Sequence, residues 1–442
     1  MSIDQQVLAI LVVVGVGLAT GFSLWRALLR PTPGGAVLLN SVAYLIGAAI
    51  VVFRHGGEDA MFVFKICVVL VPVYLASYFW IGSAFGLRRF SAAPALSVDT
   101  PQQRGVAVKW AFFLSCTGLV VLAVVATGTD RLLAALYQFV VLGDTSVSVL
   151  EMRLSFTSGE DQWFAPGYVK QLRDVLMPLA ALLVLFSVRR SRARFYVLSL
   201  LIVPLVALLM ISSGERGPVS LFLLATIYCA FLAVRLGIHR LGTMLPPAAF
   251  VGLVGVVAFT SLTVSFTSRE YGSMPMVLIL ADRVVTRAPE ENVDGAPAWR
   301  DGAPFPGAGW LSELGSVLPG TQETLSNLIH EDLGGGARGN SVLGLWVDVH
   351  YNFGWLLSIP VTVILGLLVA VLNDWVIRSG SASSAAAICA IWISITMLMV
   401  MSPFGFLLYG PFALCAVLVL LVRSRTGRTL IFNSTSRSAA RE

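Results

Sequence analysis

The chain has 442 residues, of which 57% are hydrophobic and only 12% are charged, and its mean hydropathy is +0.84. Soluble domains carry about 25% charged residues, so this composition excludes an ordinary soluble protein and predicts an integral membrane protein. The formal net charge of +6 does not indicate a nucleic-acid partner, because the basic residues border apolar runs and form no single basic domain.

About eleven apolar segments are long enough to cross a bilayer, at about 20 residues per crossing. They cover residues 7–25, 37–53, 61–81, 110–127, 169–188, 195–211, 219–234, 244–264, 341–372, 384–401 and 406–422. Their length and lack of alternation favour helices over the roughly ten-residue strands of an outer-membrane barrel. The predicted fold is therefore all-α, a polytopic membrane helical bundle. The segment at 341–372 exceeds one crossing, so we expect part of it to project beyond the bilayer or to tilt.

Lys and Arg gather on alternating sides of successive spans, which places all of these basic loops on the cytoplasmic face. This predicts an N-terminus outside and a C-terminus inside. Residues 1–264 then hold the first eight spans, with an outer segment at 127–167. A large outer loop with short helices covers 265–340, and one of these helices is predicted near 321–333. The last three spans cover 341–422, and a basic cytoplasmic tail covers 423–442. The N-terminus lacks the basic start of a cleavable signal peptide, so we expect the first span to be retained.

Acidic residues are concentrated on the predicted outer face. Of the 24 Asp and Glu, only Asp99, Asp374 and Glu442 fall on the cytoplasmic side, which leaves 21 outside together with 12 of the 30 basic residues. The positive-inside rule does not account for these outer basic residues. They are therefore candidates for function.

The outer basic residues that stand out are all Arg, whose planar fork binds phosphate or carboxylate through two parallel hydrogen bonds. They are Arg153, Arg216, Arg269, Arg283, Arg287 and Arg338. Each can alternatively pair with an acidic residue near it, and for any single Arg this is the more frequent outcome. We expect at least two of them to line a substrate cavity.

His350 lies near the start of the ninth span, where it can serve as a general base toward a sugar hydroxyl. Asp348 is two positions away, so on a helix the two side chains point in different directions. The alternative is a helical histidine that is hydrogen-bonded to a neighbour. The sequence has no HExxH, no Cys/His cluster and no phosphate-binding glycine fingerprint, so neither a metal nor a nucleotide cofactor is predicted.

Three features resemble the bacterial O-antigen or oligosaccharide repeat-unit polymerases, the Wzy-type membrane glycosyltransferases. The first is Gly214-Glu215-Arg216-Gly217 at the outer start of a span, and the second is the large late outer loop with its Arg residues and Leu318-Pro319-Gly320. The third is the glycine-rich passage at 334–344, followed by Tyr351-Asn352-Phe353-Gly354 and Gly366. The likeness in span number and loop layout covers nearly the whole chain.

This resemblance implies transfer of a growing glycan from undecaprenyl diphosphate onto a lipid-linked repeat unit, at the periplasmic side of the inner membrane. It implies that Arg216, and also Arg338 and Arg269, bind the diphosphate. Glu215, Arg153, Arg283, Arg287 and Asn352 complete the candidate site. The related O-antigen ligases use a histidine in their late outer region, and His350 falls in a comparable place, although its flanking residues differ. The expected partners are the lipid-linked oligosaccharide, membrane lipid, and a chain-length regulator and flippase.

Among enzymes, the nearest alternative is a lipid-linked glycan ligase or a peptidoglycan-type polymerase. Two hypotheses from other classes also remain open. A glycan transporter would need polar residues that reach the cytoplasmic half of the membrane, whereas here the polar residues lean outward. A scaffold protein would need no converging Arg groups at all.

Overall fold

The structure, a computed structural model, describes residues 15, 33–81, 103–127, 169, 172–187, 192–212, 219, 222–223, 226, 282–315, 325–333 and 344–378. This part of the chain is 92% helical and contains no strand. The expected all-α fold class is confirmed to that extent. The reason is local, because long apolar runs without alternation satisfy their backbone groups most simply within one helix.

Ten α-helices and three π-helical turns make up the described part. The helices are α1 Pro33–His55, α2 Gly57–Ala76, α3 Gln103–Thr127, α4 Met177–Ser187, α5 Arg192–Ile211, α6 Arg287–Asp294, α7 Ala296–Trp299, α8 Ala308–Gly315, α9 Leu325–Asp332 and α10 Leu345–Arg378. The π-helical turns are Ser77–Ile81 after α2, Leu172–Leu176 before α4, and Asp282–Thr286 before α6.

Three of these helices are long and apolar enough to cross a membrane. They cover Gly57–Phe79, Ala107–Ala126 and Leu345–Val371, and shorter apolar helices cover Asn40–His55 and Val197–Ile211. This indicates a membrane-embedded protein. Helices α1–α5 and α10 overlap the spans predicted at 37–53, 61–81, 110–127, 169–188, 195–211 and 341–372. The other predicted spans lie wholly or mostly outside the described residues, so the total of about eleven and the orientation stay predictions.

The helices pack in two groups. In one group, α1, α2 and α10 pack on one another. The π-helical turn at 282–286 and α6, which begin the described part of the long loop, pack on α1. In the other group, α3 packs on α4, and α5 packs on both. The described residues of the candidate site lie in the first group, in α7, which packs on α6, and in α8, which packs on α10.

Two glycines allow the helices of the first group to approach closely. A Cβ at Gly47 of α1 would overlap the carbonyl oxygen of Val285, in the turn before α6. A Cβ at Gly366 of α10 would overlap the Ser77 hydroxyl at the end of α2. Small residues at such points let helix backbones touch in a membrane, where no hydrophobic effect drives helices together.

The described part of the long outer loop forms short helices that pack on one another and on the membrane helices. Helix α9 lies within the region 321–333, where the sequence predicted a helix, and it packs on α7. Trp299 in α7 is 1% exposed and donates its indole N–H to the Asn292 carbonyl at 2.9 Å. The Asn292 side-chain oxygen accepts from the amide of Gly344 at 3.2 Å. This bond satisfies an amide just before α10 and ties the loop to the helix start.

Candidate functional site

The site is built around a break in helix α10 at Gly354. Its φ of 59° and ψ of −174° lie in a region that is essentially restricted to glycine. Two carbonyls just before the break accept hydrogen bonds from the outer loop. Tyr351 accepts from the amide of Ala303 at 2.8 Å, and Asn352 accepts from the amide of Gly307 at 2.8 Å. The loop therefore fixes the position of the helix segment that carries His350.

A buried polar network holds α8 against the same segment. The Trp310 indole N–H donates to the Asp348 carboxylate at 2.6 Å, and the Trp310 amide donates to the Asn352 side-chain oxygen at 3.0 Å. The Asn352 amide nitrogen donates to the Asp348 carboxylate at 3.1 Å and to its carbonyl at 2.9 Å. Asp348 and Asn352 are 1% and 2% exposed. Such a network is costly to leave half-made, so it specifies one arrangement of loop and helix.

His350 lies on the other side of α10 from this network, among aromatic rings. Its ring is perpendicular to Phe62, with centroids 5.2 Å apart, and to Trp355, with centroids 4.6 Å apart. The side chain is 5% exposed, and neither Nδ1 nor Nε2 has a hydrogen-bond partner in the described part of the chain. A neutral imidazole offers one donor and one acceptor. Leaving such groups buried without partners costs about 1–3 kcal/mol, which a hydroxyl from a ligand can recover.

We call Phe62, Trp299, His350 and Trp355 the aromatic cluster. Phe62 is at its centre, because its ring also stacks on Trp299, with centroids 5.8 Å apart, and meets Trp355 edge-on at 6.1 Å. Trp299 is buried, whereas Trp355 is 42% exposed. The cluster thus has a buried floor and one accessible ring.

Arg300, at the end of α7, lies above this cluster and pairs with the first turn of α2. Its guanidinium carbon is 5.6 Å from the centre of the Phe62 ring. One guanidinium nitrogen is 2.8 Å from the Asp59 carboxylate, and another is 3.3 Å from Glu58. We call Glu58, Asp59 and Arg300 the Arg300 ion cluster. It joins the outer loop to the end of α1 and the first turn of α2, residues 54–59, which we call the α1–α2 corner.

A second set of ion pairs joins the same two regions. Arg54, at the end of α1, donates to Asp282 at 2.7 Å and to Glu290 at 3.1 Å. The hydrogen bond to Asp282 raises the pKa of the Arg54 guanidinium above its ordinary value. These pairs are partly exposed, so they contribute little to stability individually. Their value is geometric, because they fix which part of the loop lies over the α1–α2 corner.

The structure locates some of the predicted site residues and not others. Arg153, Glu215, Arg216, Arg269 and Arg338 lie outside the described residues. Arg283 lies in the π-helical turn before α6.

Two predicted substrate-binding residues have protein partners in the structure. Arg287 forms an ion pair with Glu291, with Nε 2.6 Å from the carboxylate, so the expected pairing of an Arg with a nearby acid occurs here. The Asn352 side chain is engaged on both atoms within the polar network, which makes it a positioning residue in this arrangement. Among the described residues, no group of three or more His, Cys, Asp or Glu is arranged to hold a metal ion.

Three residues of the site were not singled out by their sequence pattern. Phe62 and Trp355 look like ordinary members of apolar spans, and Arg300 was only counted among the outer basic residues. The adjacent acids Glu58 and Asp59 were visible as a pair, but their partner is 241 positions from Asp59 along the chain. No local signal connects residues so far apart.

Comparisons with models of protein families, with curated proteins and with solved structures found no match.

Proposed function

We propose that this protein is a membrane glycosyltransferase that polymerises oligosaccharide repeat units carried on undecaprenyl diphosphate, at the outer face of the cytoplasmic membrane. One observation carries the proposal most directly. His350 is buried next to an accessible tryptophan, and its two ring nitrogens have no hydrogen-bond partner in the described part of the chain. A histidine placed in this way suits a hydroxyl group brought by a substrate.

The position of the site along the helices supports a lipid-linked substrate. In α10, Trp346 and Val349 are buried, whereas Leu356, directly after Trp355, is 83% exposed. A lipid-facing surface that begins at Leu356 and continues to residue 371 spans about 24 Å, close to the hydrocarbon thickness of a bilayer. The aromatic cluster is then at the membrane boundary. That is the depth of the diphosphate and first sugars of a polyprenyl-linked glycan.

The contacts between loop and corner also agree with the proposed topology. That topology places residues 54–60 and 265–340 on the outer face, and the ion pairs of Arg54 with Asp282 and of Arg300 with Asp59 bring these regions together. Had the positive-inside argument put them on opposite faces, these contacts would be impossible. The outer assignment of the site is thus internally consistent.

The chemistry needs no nucleotide, because the lipid diphosphate is already an activated leaving group. A hydroxyl of the acceptor repeat unit attacks the anomeric carbon of the donor glycan. A new C–O bond forms, and the bond to the diphosphate oxygen breaks. His350 takes the hydroxyl proton, and Arg216, with Arg338 and Arg269, stabilises the charge on the departing diphosphate. Glu215 orients Arg216 in this scheme.

The test is the lipid-linked glycan profile of a strain in which the gene is deleted and then restored with variants. We expect the deletion to accumulate single repeat units on undecaprenyl diphosphate and to lose long chains. His350→Gln and Arg216→Lys should each restore the protein to the membrane but not the long chains, because Lys lacks the two-pronged geometry of Arg. His330→Gln, a histidine in α9 outside the aromatic cluster, is the matched control and should restore polymer.

Other outcomes separate the competing functions. If the deletion strain still makes long polymer on the lipid carrier but does not transfer it to the final acceptor, the protein is a ligase and not a polymerase. An unchanged profile in the deletion strain would overturn the proposal altogether. Full activity of both His350→Gln and Arg216→Lys would leave the polymerase standing but remove these residues from its mechanism.

A further inference from the structure

We propose that Trp355, Phe62 and the Arg300 ion cluster form a glycan-binding subsite that accepts neutral or basic sugars and disfavours acidic ones. This inference rests on the proposed function, because it names the chemical class of the glycan that this protein handles. It gives a role to Trp355, Phe62 and Arg300, to which neither the sequence pattern nor the resemblance assigns one. It also narrows the sugar identity, which the sequence leaves open.

The first element of the subsite is the accessible ring of Trp355. A pyranose ring presents apolar C–H groups on one face, and such faces pack on aromatic side chains, which supply rigid apolar area. Trp355 is 42% exposed, and contacts with His350 and Phe62 hold its ring in place from behind. A ring fixed in this way loses little freedom when a sugar packs on it.

The second element is the Arg300 ion cluster, whose guanidinium lies over Phe62, the ring that also contacts Trp355. Arg300 is 44% exposed, and Asp59 and Glu58 are 39% and 87% exposed. A sugar hydroxyl is both a donor and an acceptor, so adjacent hydroxyls can donate to a carboxylate while accepting from the guanidinium. Exposed ion pairs contribute little by themselves, and exchanging part of them for hydroxyl contacts therefore costs little. The Phe62 ring under Arg300 keeps the guanidinium in position during that exchange.

The third, independent element is His350. His350 is 5% exposed and therefore 95% buried, and neither of its ring nitrogens has a hydrogen-bond partner in the described part of the chain. It contacts both Trp355 and Phe62, so its unmet donor and acceptor belong to the same cluster as the stacking ring. One deep polar group, a rim of charged groups and an apolar wall are the usual composition of a small-molecule site.

The charge class follows from the surface around the subsite. Segments 54–59 and 282–301, which pack together here, contain four Arg against seven Asp and Glu. The whole predicted outer face has the same excess, with 21 acidic and 12 basic residues. A carboxylate on a bound sugar would be repelled by this surface, whereas an amino sugar would be attracted. Screening by salt reduces the effect at distances beyond about 8 Å, so we expect a preference of about two- to fivefold and not an absolute exclusion.

The binding test uses the purified full chain in lipid nanodiscs. The probe is the oligosaccharide released by mild acid from the lipid-linked repeat units of the strain that carries the gene. We expect Trp355→Ala to weaken binding of this probe about tenfold in calorimetric titrations. Phe305→Ala removes another half-exposed aromatic on the outer loop and is the matched control. It should leave the affinity unchanged.

Two results would overturn the subsite. If Trp355 only anchors the helix at the membrane surface, Trp355→Ala will bind the soluble oligosaccharide as tightly as the parent protein. The same conclusion follows if the parent protein does not bind the probe. Either result leaves the glycan profile of the deletion strain untouched, so the subsite can fail while the polymerase stands.

The charge test compares the same oligosaccharide before and after oxidation of its primary hydroxyls to carboxylates. The parent protein should bind the oxidised form about two- to fivefold more weakly at low salt. The double variant Glu58→Gln/Asp59→Asn should reduce the difference in affinity between the two forms, because it removes two negative charges and keeps Arg300. Equal affinities for the two forms, or a uronic acid in the native repeat unit, would refute the charge preference.

Discussion

Replacing Gly354 by Ala tests whether the break in α10 is required by the backbone. Open space surrounds the position where a Cβ would be added, with no atom within 4 Å, so the substitution creates no clash. The cost comes from the backbone alone, because φ of 59° with ψ of −174° is essentially restricted to glycine. Strain of this kind costs about 1–3 kcal/mol, and we expect Gly354→Ala to destabilise the protein by that amount.

The helix can escape the strain only by straightening, and that route also carries a cost. A straight α10 would gain about 1 kcal/mol of helix propensity from Ala over Gly. It would withdraw the carbonyls of Tyr351 and Asn352 from the amides of Ala303 and Gly307. Ala303 and Gly307 are half-buried, and the loss of each hydrogen bond costs about 1 kcal/mol, so the straightened helix is no more stable than the strained one.

Thermal unfolding of the purified protein in detergent, followed by intrinsic fluorescence, measures this effect. Gly118→Ala is the matched control, since Gly118 lies in α3, also has no atom near its added Cβ, and has no positive φ. It should be neutral or slightly stabilising. If Gly354→Ala and Gly118→Ala unfold at the same temperature, the break is not a constraint on residue 354. The positioning of His350 by the loop then fails as an argument.

The remaining predictions concern packing around the same helix. Trp310→Phe removes a donor from the buried Asp348 carboxylate and should cost about 1–3 kcal/mol in thermal unfolding. In Gly366→Ala, the added Cβ overlaps the Ser77 hydroxyl, and the substitution should cost about 1–3 kcal/mol of stability. The double variant with Ser77→Ala should recover part of this loss. If the stability changes of the two single variants simply add in the double variant, the contact is contradicted. Arg287→Gln breaks an exposed pair and should cost less than about 0.5 kcal/mol.

The helices were predictable because their signal is local. Long apolar runs without alternation predicted helices wherever the structure describes them, and the short helix α9 falls within its predicted range. The break in α10 was not predictable in the same way. Gly354 and Gly366 are both glycines in the same apolar run. Gly354 interrupts the helix, whereas Gly366 lies within it and packs on Ser77. The difference comes from Ala303 and Gly307 of the outer loop, whose amides bond to the two carbonyls just before Gly354. The apolar run itself contains no sign of these contacts.

The candidate site was predictable only in part. His350 was singled out by its type and place, but its environment depends on Phe62, which precedes it by nearly 300 positions and looks like any span residue. Asn352 was expected to bind substrate, whereas its buried side chain bonds to Trp310 and Asp348. A polar residue near a predicted active site can serve either role. Only the partners that surround it in three dimensions decide which one it has.

The ion pairs over the α1–α2 corner form late in synthesis, because their partners are far apart along the chain. Arg54 and Asp282 are 228 positions apart, so at about 5–20 residues per second the ribosome takes about 11–46 s between them. During that interval the α1–α2 corner has been synthesised, and its Arg and acidic side chains have no partner from the outer loop. The first helical pair must therefore be stable without the loop, and the proposed glycan-binding subsite is completed only late in synthesis. A nascent chain stalled before residue 282 would carry α1 and α2 but none of the loop residues that complete the proposed site.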